Sequence, residues 1–211
     1  MNVCGDAWTV LWYMDPVNVN WTPSLAEKMR RADIVYCNIW EAFYKAGAFS
    51  NAYHLHEGFD PLVDRPIDSA QIYDTTFIGG LHGDRAEYKD CFDHVTGCYG
   101  EAHALHVCRS KINLNFTNGG ASDRVYKIMA AGGFLLTERW PNGGIDFVEH
   151  VDLVAFDGKA DLKEKIDYYL RHDSERKRIA ANGYLTVQKF NRTAWARRIL
   201  EGANSYTHHN K

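Results

Sequence analysis

Between Asp74 and Arg171 the chain repeats one pattern: a short apolar run, a glycine-bearing turn, then a helical stretch. The runs DTTFIGG (from Asp74), HVTGCYG (from His94), KINLNFT (from Lys111), GFLLT (from Gly133) and DLVAF (from Asp152) read as strands. The stretches DRAEYKDCF, EAHALHVCRS, SDRVYKIMAAG, IDFVEH and DLKEKIDYYLRH read as the helices that follow them. In the last of these, Leu162, Ile166, Tyr169 and Leu170 share one face. Alternation with short loops predicts a doubly wound parallel sheet with helices on both faces.

A shorter version of the pattern precedes it. WTVLWYM (Trp8–Met14) reads as a strand ending at Asp15-Pro16, and Thr22-Pro23-Ser24 as the start of a helix through LAEKMRRA. Ile34–Ile39 reads as a second strand and Glu41–Gly47 as a short helix. An extended segment NAYHLHEGFDP follows. The proline-bearing stretch 60–69 reads as a connector, and a helical region runs from about Ser174 to Gly202. The expected division is 1–69 as a short first domain, 70–190 as a second, and 191–211 as a C-terminal helix and tail.

A formal charge of −3 gives no global attraction to nucleic acid or anionic membranes, so recognition of an anion has to be local. Five cysteines with no CxxC pair suit reduced thiols in a cytoplasm better than a disulfide framework. No apolar run approaches the roughly twenty residues of a membrane span, and the first residues lack the pattern of a secretory signal.

In a parallel sheet, ligands bind where the carboxyl ends of strands lead into helix starts. Three such junctions carry unusual chemistry: FIGGLHGDR, with Gly80 and Arg85; CYGEAH, with Tyr99 and Gly100; and NFTNGGASDR, with Asn115, Gly119, Gly120, Ser122, Asp123 and Arg124. Glycines let backbone approach a ligand, and N–H groups at a helix start suit a phosphate. Arg85 and Arg124 offer charge-assisted contacts to a diphosphate. From Cys108 to Lys127 the cations Arg109, Lys111, Arg124 and Lys127 face only Asp123. Asp123 reads either as the salt-bridge partner of Arg124 or as a helix-start carboxylate. Glycine-rich turns of this kind also occur for purely structural reasons. Neither a P-loop motif nor a dinucleotide-binding GxGxxG is present. The His54/His56 and His103/His106 pairs have no evident third ligand, so no metal site is expected.

The segments FIGG…R, YG, SKINLNF…SDRVYKIMAAGGFLLTE and DLKEKIDYYLRHDSERKRIAANGY resemble the C-terminal half of group 1 glycosyltransferases with the GT-B fold. The similarity is closest to the spore-maturation-protein (CgeB-like) branch and covers about 74–200. It implies two Rossmann-like domains, a nucleotide-diphosphate sugar as donor substrate, no further cofactor, and metal-independent transfer to a hydroxyl acceptor. Cationic side chains and a helix start would stabilise the departing diphosphate. Carried over, Tyr99-Gly100 lies near the base, and Asn115 with Gly119–Asp123 near the sugar and diphosphate.

Two departures from the family stand out. Group 1 enzymes commonly hold the ribose with a Glu where this chain has Lys127, and the paired Glu eight residues earlier is Gly119. Lys127 then either binds phosphate or marks a different donor. The first domain is also short, which suits a minimal enzyme, a loss of acceptor-side strands, or a second copy of the chain completing the cleft. Asp15 is the candidate for deprotonating or positioning the acceptor, or else a turn residue before Pro16. Glu57 and Asp60 are weaker candidates. The acceptor is expected to be a glycan, a protein, a small molecule or, less favoured, modified DNA. The competing readings are a degenerate nucleotide-sugar-binding module and a flavodoxin-like domain with anion-binding loops.

Overall fold

The structure, a computed structural model, describes residues 9–14, 22–46, 50–117 and 119–209. It divides into two compact units, Met1–Glu57 with Thr193–Lys211, and Gly58–Arg192. Among the described residues, no helix is long and apolar enough to cross a membrane.

The first unit holds a three-stranded parallel sheet, β1 (Val10–Tyr13), β2 (Ile34–Cys37) and β3 (Ala52–His54), in the order β1-β2-β3. Helix α1 (Pro23–Arg31) starts as its sequence requires: Thr22 Oγ1 accepts from Leu25 N at 3.2 Å, and Pro23 occupies the first turn, where it sacrifices no hydrogen bond. Its far end is closed by Asn51 Nδ2, which donates to the carbonyls of Met29 (3.2 Å) and Ala32 (2.6 Å). Helix α2 (Trp40–Ala46) links β2 to β3. Met29, Val35, Cys37 and Ala42 pack on one face of the sheet. On the other face, Ile34, Tyr36 and Leu55 meet Trp12 and, from the C-terminal helix, Trp195 and Ile199.

The second unit holds five parallel strands: β4 (Tyr73–Ile78), β5 (His94–Thr96), β6 (Ser110–Asn115), β7 (Leu135–Glu138) and β8 (Val154–Phe156), ordered β5-β4-β6-β7-β8. Helices α3 (Glu101–Cys108) and α4 (Asp123–Ala130) bury Ala104, Val107, Val125, Ile128 and Met129 against one face. Full burial of such side chains contributes about 1.5–3 kcal/mol each. Helix α5 (Gly158–Arg171) buries Leu162, Ile166 and Tyr169 on the other face, beside Phe77, Leu114, Leu136 and Phe156. Helices α6 (Asp173–Val187) and α7 (Arg192–His209) complete the chain, separated by a 3₁₀ turn at Gln188–Phe190. The fold is therefore α/β and GT-B-like, with two Rossmann-like parallel sheets, the N-terminal one the smaller.

Two expected helices take tighter forms. The stretch after β4 is a 3₁₀ segment, Gly83–Tyr88, closed by i→i+3 bonds such as Cys91 N to Tyr88 O at 2.8 Å. Tyr88 and Phe92 then dock beside Phe77 and Phe116. Asp93 finishes the turn by accepting from the backbone of Asp74 and Thr75, both at 2.8 Å. After β7, IDFVEH is a 3₁₀ turn at Gly143–Ile145 and a loop rather than a helix. Asp152 accepts there from Val148 N at 2.8 Å, replacing a helical bond with a side-chain one.

The second glycine pair of the NGG…AGG stretch has a clear local cause. Gly132 adopts φ +77 just past α4, where an L side chain is strained. Gly133 lies so close to α3 and β6 that an added Cβ would meet Val107 Cγ1 at 2.4 Å and Asn113 Nδ2 at 2.9 Å.

Candidate functional site

The strand order sets the site. From β4 the chain moves outward to β5, then crosses back through α3 to β6 and continues the other way to β7 and β8. The order reverses between β4 and β6, and crevices for ligands open at the carboxyl ends of such strands. Here those ends are Ile78 and Asn115.

Arg124, in the first turn of α4, spans this point. Its Nε donates to Ile78 O at 2.7 Å and its Nη1 to Asn115 Oδ1 at 2.9 Å. Asn115 is fully buried, and its Nδ2 donates to Thr137 Oγ1 at 2.9 Å, which fixes the amide with its oxygen towards the arginine. Ser122 precedes α4 but caps no backbone N–H; its hydroxyl donates instead to Asn115 Oδ1 at 3.3 Å. The N-terminal amides of α4 are thus left without a side-chain cap beside a guanidinium. Gly79 makes room for that group, since a Cβ there would meet Arg124 Nη2 at 2.9 Å.

Arg85 comes to the same place from the 3₁₀ segment. Its Cζ lies 6.0 Å from the centre of the Phe77 ring and that of Arg124 lies 5.2 Å from it; Arg85 Nη2 reaches Phe116 O at 3.5 Å. Burial, together with the nearby Arg85 charge, pushes the Arg124 pKa down from its ordinary value. Two neighbouring cations over one aromatic ring are relieved by an anion between them.

Next to Arg124 lies a cavity of about 70 Å³, whose walls include Cys98, Tyr99, His103, Asp123 and Lys127. Asp123 pairs with Lys127, one helical turn away, rather than with its neighbour Arg124. Burial opposes the Asp123 charge, yet the hydrogen bond and charge of Lys127, with Arg124 beyond, hold the carboxyl below the usual carboxylate range. His103, on α3, is only 6% exposed, and its Nδ1 has no hydrogen-bond partner among the described residues. Burial, with the Lys127 and Arg124 charges, pushes it down to about 4, so the ring is neutral near pH 7. Tyr99 stands 87% exposed at the rim, before Gly100, which opens α3 at φ +63.

The structure thus brings Arg85, Tyr99, Gly100, Asn115, Ser122, Asp123, Arg124 and Lys127 to one edge of the second unit. Gly80 lies exposed beyond β4, and Gly119, at φ +95, and Gly120 lie in the loop between β6 and α4. Asp15 lies outside the described residues. Sequence reasoning weighed His103 only as a metal ligand; its burial beside Arg124 and Lys127 is a property of the folded cavity.

A larger hollow of about 510 Å³ lies at the opposite, amino edge of the sheet, by Ser110, Lys111, Gly133 and Arg176. Its cations are already engaged: Lys111 with Asp74, Arg176 and Lys177 with Asp173. Charge, uncapped amides and a buried histidine nitrogen with no partner among the described residues make the smaller cavity the candidate site.

Residues 66–201, well over half of the chain, match the model of a family described as glycosyl transferase-like. The chain belongs to that family. No curated protein matches it. Among solved structures, this glycosyl transferase-like chain is similar to HepE of Anabaena in complex with UDP and glucose, at 14% identity and a TM-score of 0.72, covering 92% of this chain and 71% of that one. HepE in complex with UDP gives 13% identity and a TM-score of 0.68, with 92% and 72% covered. A sucrose-phosphate synthase from Thermosynechococcus elongatus gives 11% identity and 0.66, with 88% and 61% covered. At these identities the likeness establishes the fold.

Proposed function

We propose that the chain is a glycosyltransferase that moves a sugar from a nucleotide-diphosphate donor to a hydroxyl acceptor, without a metal ion. The observation that carries this reading is the pair Arg85 and Arg124 over Phe77, beside the uncapped start of α4. In the transfer, the bond from the anomeric carbon to the diphosphate oxygen breaks and its electron pair leaves with the diphosphate. The acceptor oxygen bonds to the anomeric carbon and gives up its proton. Negative charge therefore develops on the departing oxygen, where two guanidiniums and a helix start stabilise it. These groups are fixed before the reaction, so little reorganisation opposes the step. Removal of one such donor typically costs about 100–1,000-fold in rate.

Arg124 contacts the diphosphate in this reading, while Asn115 positions it by holding Nη1. Tyr99, with Gly100, offers an exposed ring on which a base stacks, and Gly80, Gly119 and Gly120 let backbone approach the donor. Asp15 remains our candidate for the acceptor's proton. The neighbours' bound UDP and UDP-glucose support a nucleotide-sugar donor.

The ion pair of Lys127 with Asp123 favours a second reading, a donor-binding module without turnover, because Lys127 stands where the resemblance implies a ribose-holding Glu. A donor-hydrolysis assay separates the two. Release of nucleoside diphosphate from a bound nucleotide sugar supports the enzyme; binding with no release, across glycan, protein and small-molecule acceptors, supports the module.

A further inference from the structure

The segment that carries Arg85 is weakly held by its own contacts. Gly83–Tyr88 is a 3₁₀ stretch with no buried residue and no side-chain cap at its start, and the bond from Arg85 to Phe116 O is 3.5 Å long. The i→i+3 bonds of such a stretch have poor geometry and hold it loosely. Helix α5 supplies what the segment lacks. Lys159 Nζ, 72 residues further along the chain, donates to Glu87 O at 2.6 Å and pairs with Asp90 Oδ1 at 2.5 Å. Lys163 Nζ, one helical turn on, donates to Asp90 Oδ2 at 2.7 Å. One carboxylate thus holds two lysines, one per oxygen, and the first of them also closes a carbonyl at the end of the 3₁₀ stretch.

Local helix physics does not account for these lysines. Lys159 stands in the first turn of α5, where the helix dipole disfavours a cation, and like charges at i, i+4 destabilise a helix. Asp90 offsets both effects, and the lysines in turn, Lys159 first, hold its carboxyl below the usual carboxylate range. We propose that Lys159, Asp90 and Lys163 form a strap that positions Arg85 against the donor's diphosphate, with none of the three touching the donor. This rests on the transferase reading and adds positioning residues to it. A carboxylate near an anion site repels the anion, so the direct charge effect of losing Asp90 is tighter binding. Loss of the strap weakens binding. The opposite signs separate positioning from plain electrostatics.

The test is calorimetric titration of the full chain with UDP, GDP and ADP, in a double-mutant cycle of Asp90→Ala and Arg85→Ala. At least one nucleoside diphosphate binds the native chain. Asp90→Ala weakens that binding about 3- to 10-fold, the range that two exposed ion pairs sustain. The same substitution has no effect in the Arg85→Ala background, because the strap acts through Arg85. Asp90→Glu keeps a carboxylate for the two lysines and recovers the affinity. Lys159→Met, which loses the bond to Glu87 as well, is an independent variant read by the same cycle and shows the same dependence on Arg85. Asp90 and Lys159 are both part-exposed, so neither substitution disturbs the core. Unchanged or tighter binding in Asp90→Ala, or an equal loss with and without Arg85, overturns the strap while leaving the transferase reading in place. Binding of none of the three nucleotides to the native chain overturns both.

Discussion

Arg124 donates to Asn115 Oδ1 at 2.9 Å and, through Nε, to Ile78 O at 2.7 Å, so one guanidinium ties together the strand ends where the sheet changes direction. The same side chain is therefore part of the frame and part of the site.

Replacement of Arg124 by Ala is expected to do two things at once. Nucleoside-diphosphate affinity falls by about 100-fold, and stability falls by about 1–3 kcal/mol because two buried acceptors lose their donor. Calorimetry and urea denaturation on the same variant read both. Unchanged affinity would place the anion elsewhere.

Arg85 makes the opposite case. Its contact to Phe116 O is 3.5 Å long, at the limit of a hydrogen bond. Arg85→Ala is expected to weaken nucleoside-diphosphate binding about 10-fold or more while changing stability by no more than about 0.5 kcal/mol. A large loss of stability would show that Arg85 serves the fold.

The two glycine pairs of the central stretch differ in kind. Gly133→Ala forces a methyl group against Val107 and Asn113 and is expected to cost about 1–3 kcal/mol. At Gly119 a Cβ meets nothing within 4 Å, and only its φ of +95 resists substitution. Gly119→Ala is expected to cost about 1 kcal/mol, with the larger effect on ligand binding. Thermal denaturation of the two variants side by side checks the ranking.

Stability should also fall on mild acidification. His103 is pushed from its ordinary 6.5 down to about 4, first by burial and then by Lys127 and Arg124; His54 is pushed to about 4, chiefly by burial. Between these values the unfolded chain binds more protons than the folded one, so stability rises with pH across the window and is lost as pH falls. For His103 alone the loss from pH 7 to pH 5 is about 2 kcal/mol. Urea denaturation at the two pH values measures it, and His103→Leu should remove its share of the slope.

Much of this was legible in the chain itself. Runs such as IVYC and FLLT are apolar or β-branched, and glycines stand between strands and helices at the edge that holds the candidate site. The 3₁₀ segment after β4 was not legible, because its tighter winding depends on Tyr88 and Phe92 docking beside Phe77 and Phe116, contacts made only once the sheet exists. Arg124 read as a phosphate contact, but its role as a tie needs the order β5-β4-β6, which no local pattern states. Asp123 and Lys127 stand at i, i+4, a spacing that favours an ion pair on a helix; the adjacent Arg124 was the more conspicuous partner. His103 had no local mark, since burial and a missing partner are properties of the folded cavity.

The most direct measurement is a thermal-shift series with UDP, GDP and ADP and their sugars on the native chain and on Arg124→Ala, followed by assay of diphosphate release from any nucleotide sugar that binds. The account predicts that at least one nucleoside diphosphate raises the melting temperature of the native chain, that Arg124→Ala loses this response, and that the matching sugar donor is turned over. No stabilisation of the native chain by any of them would contradict it.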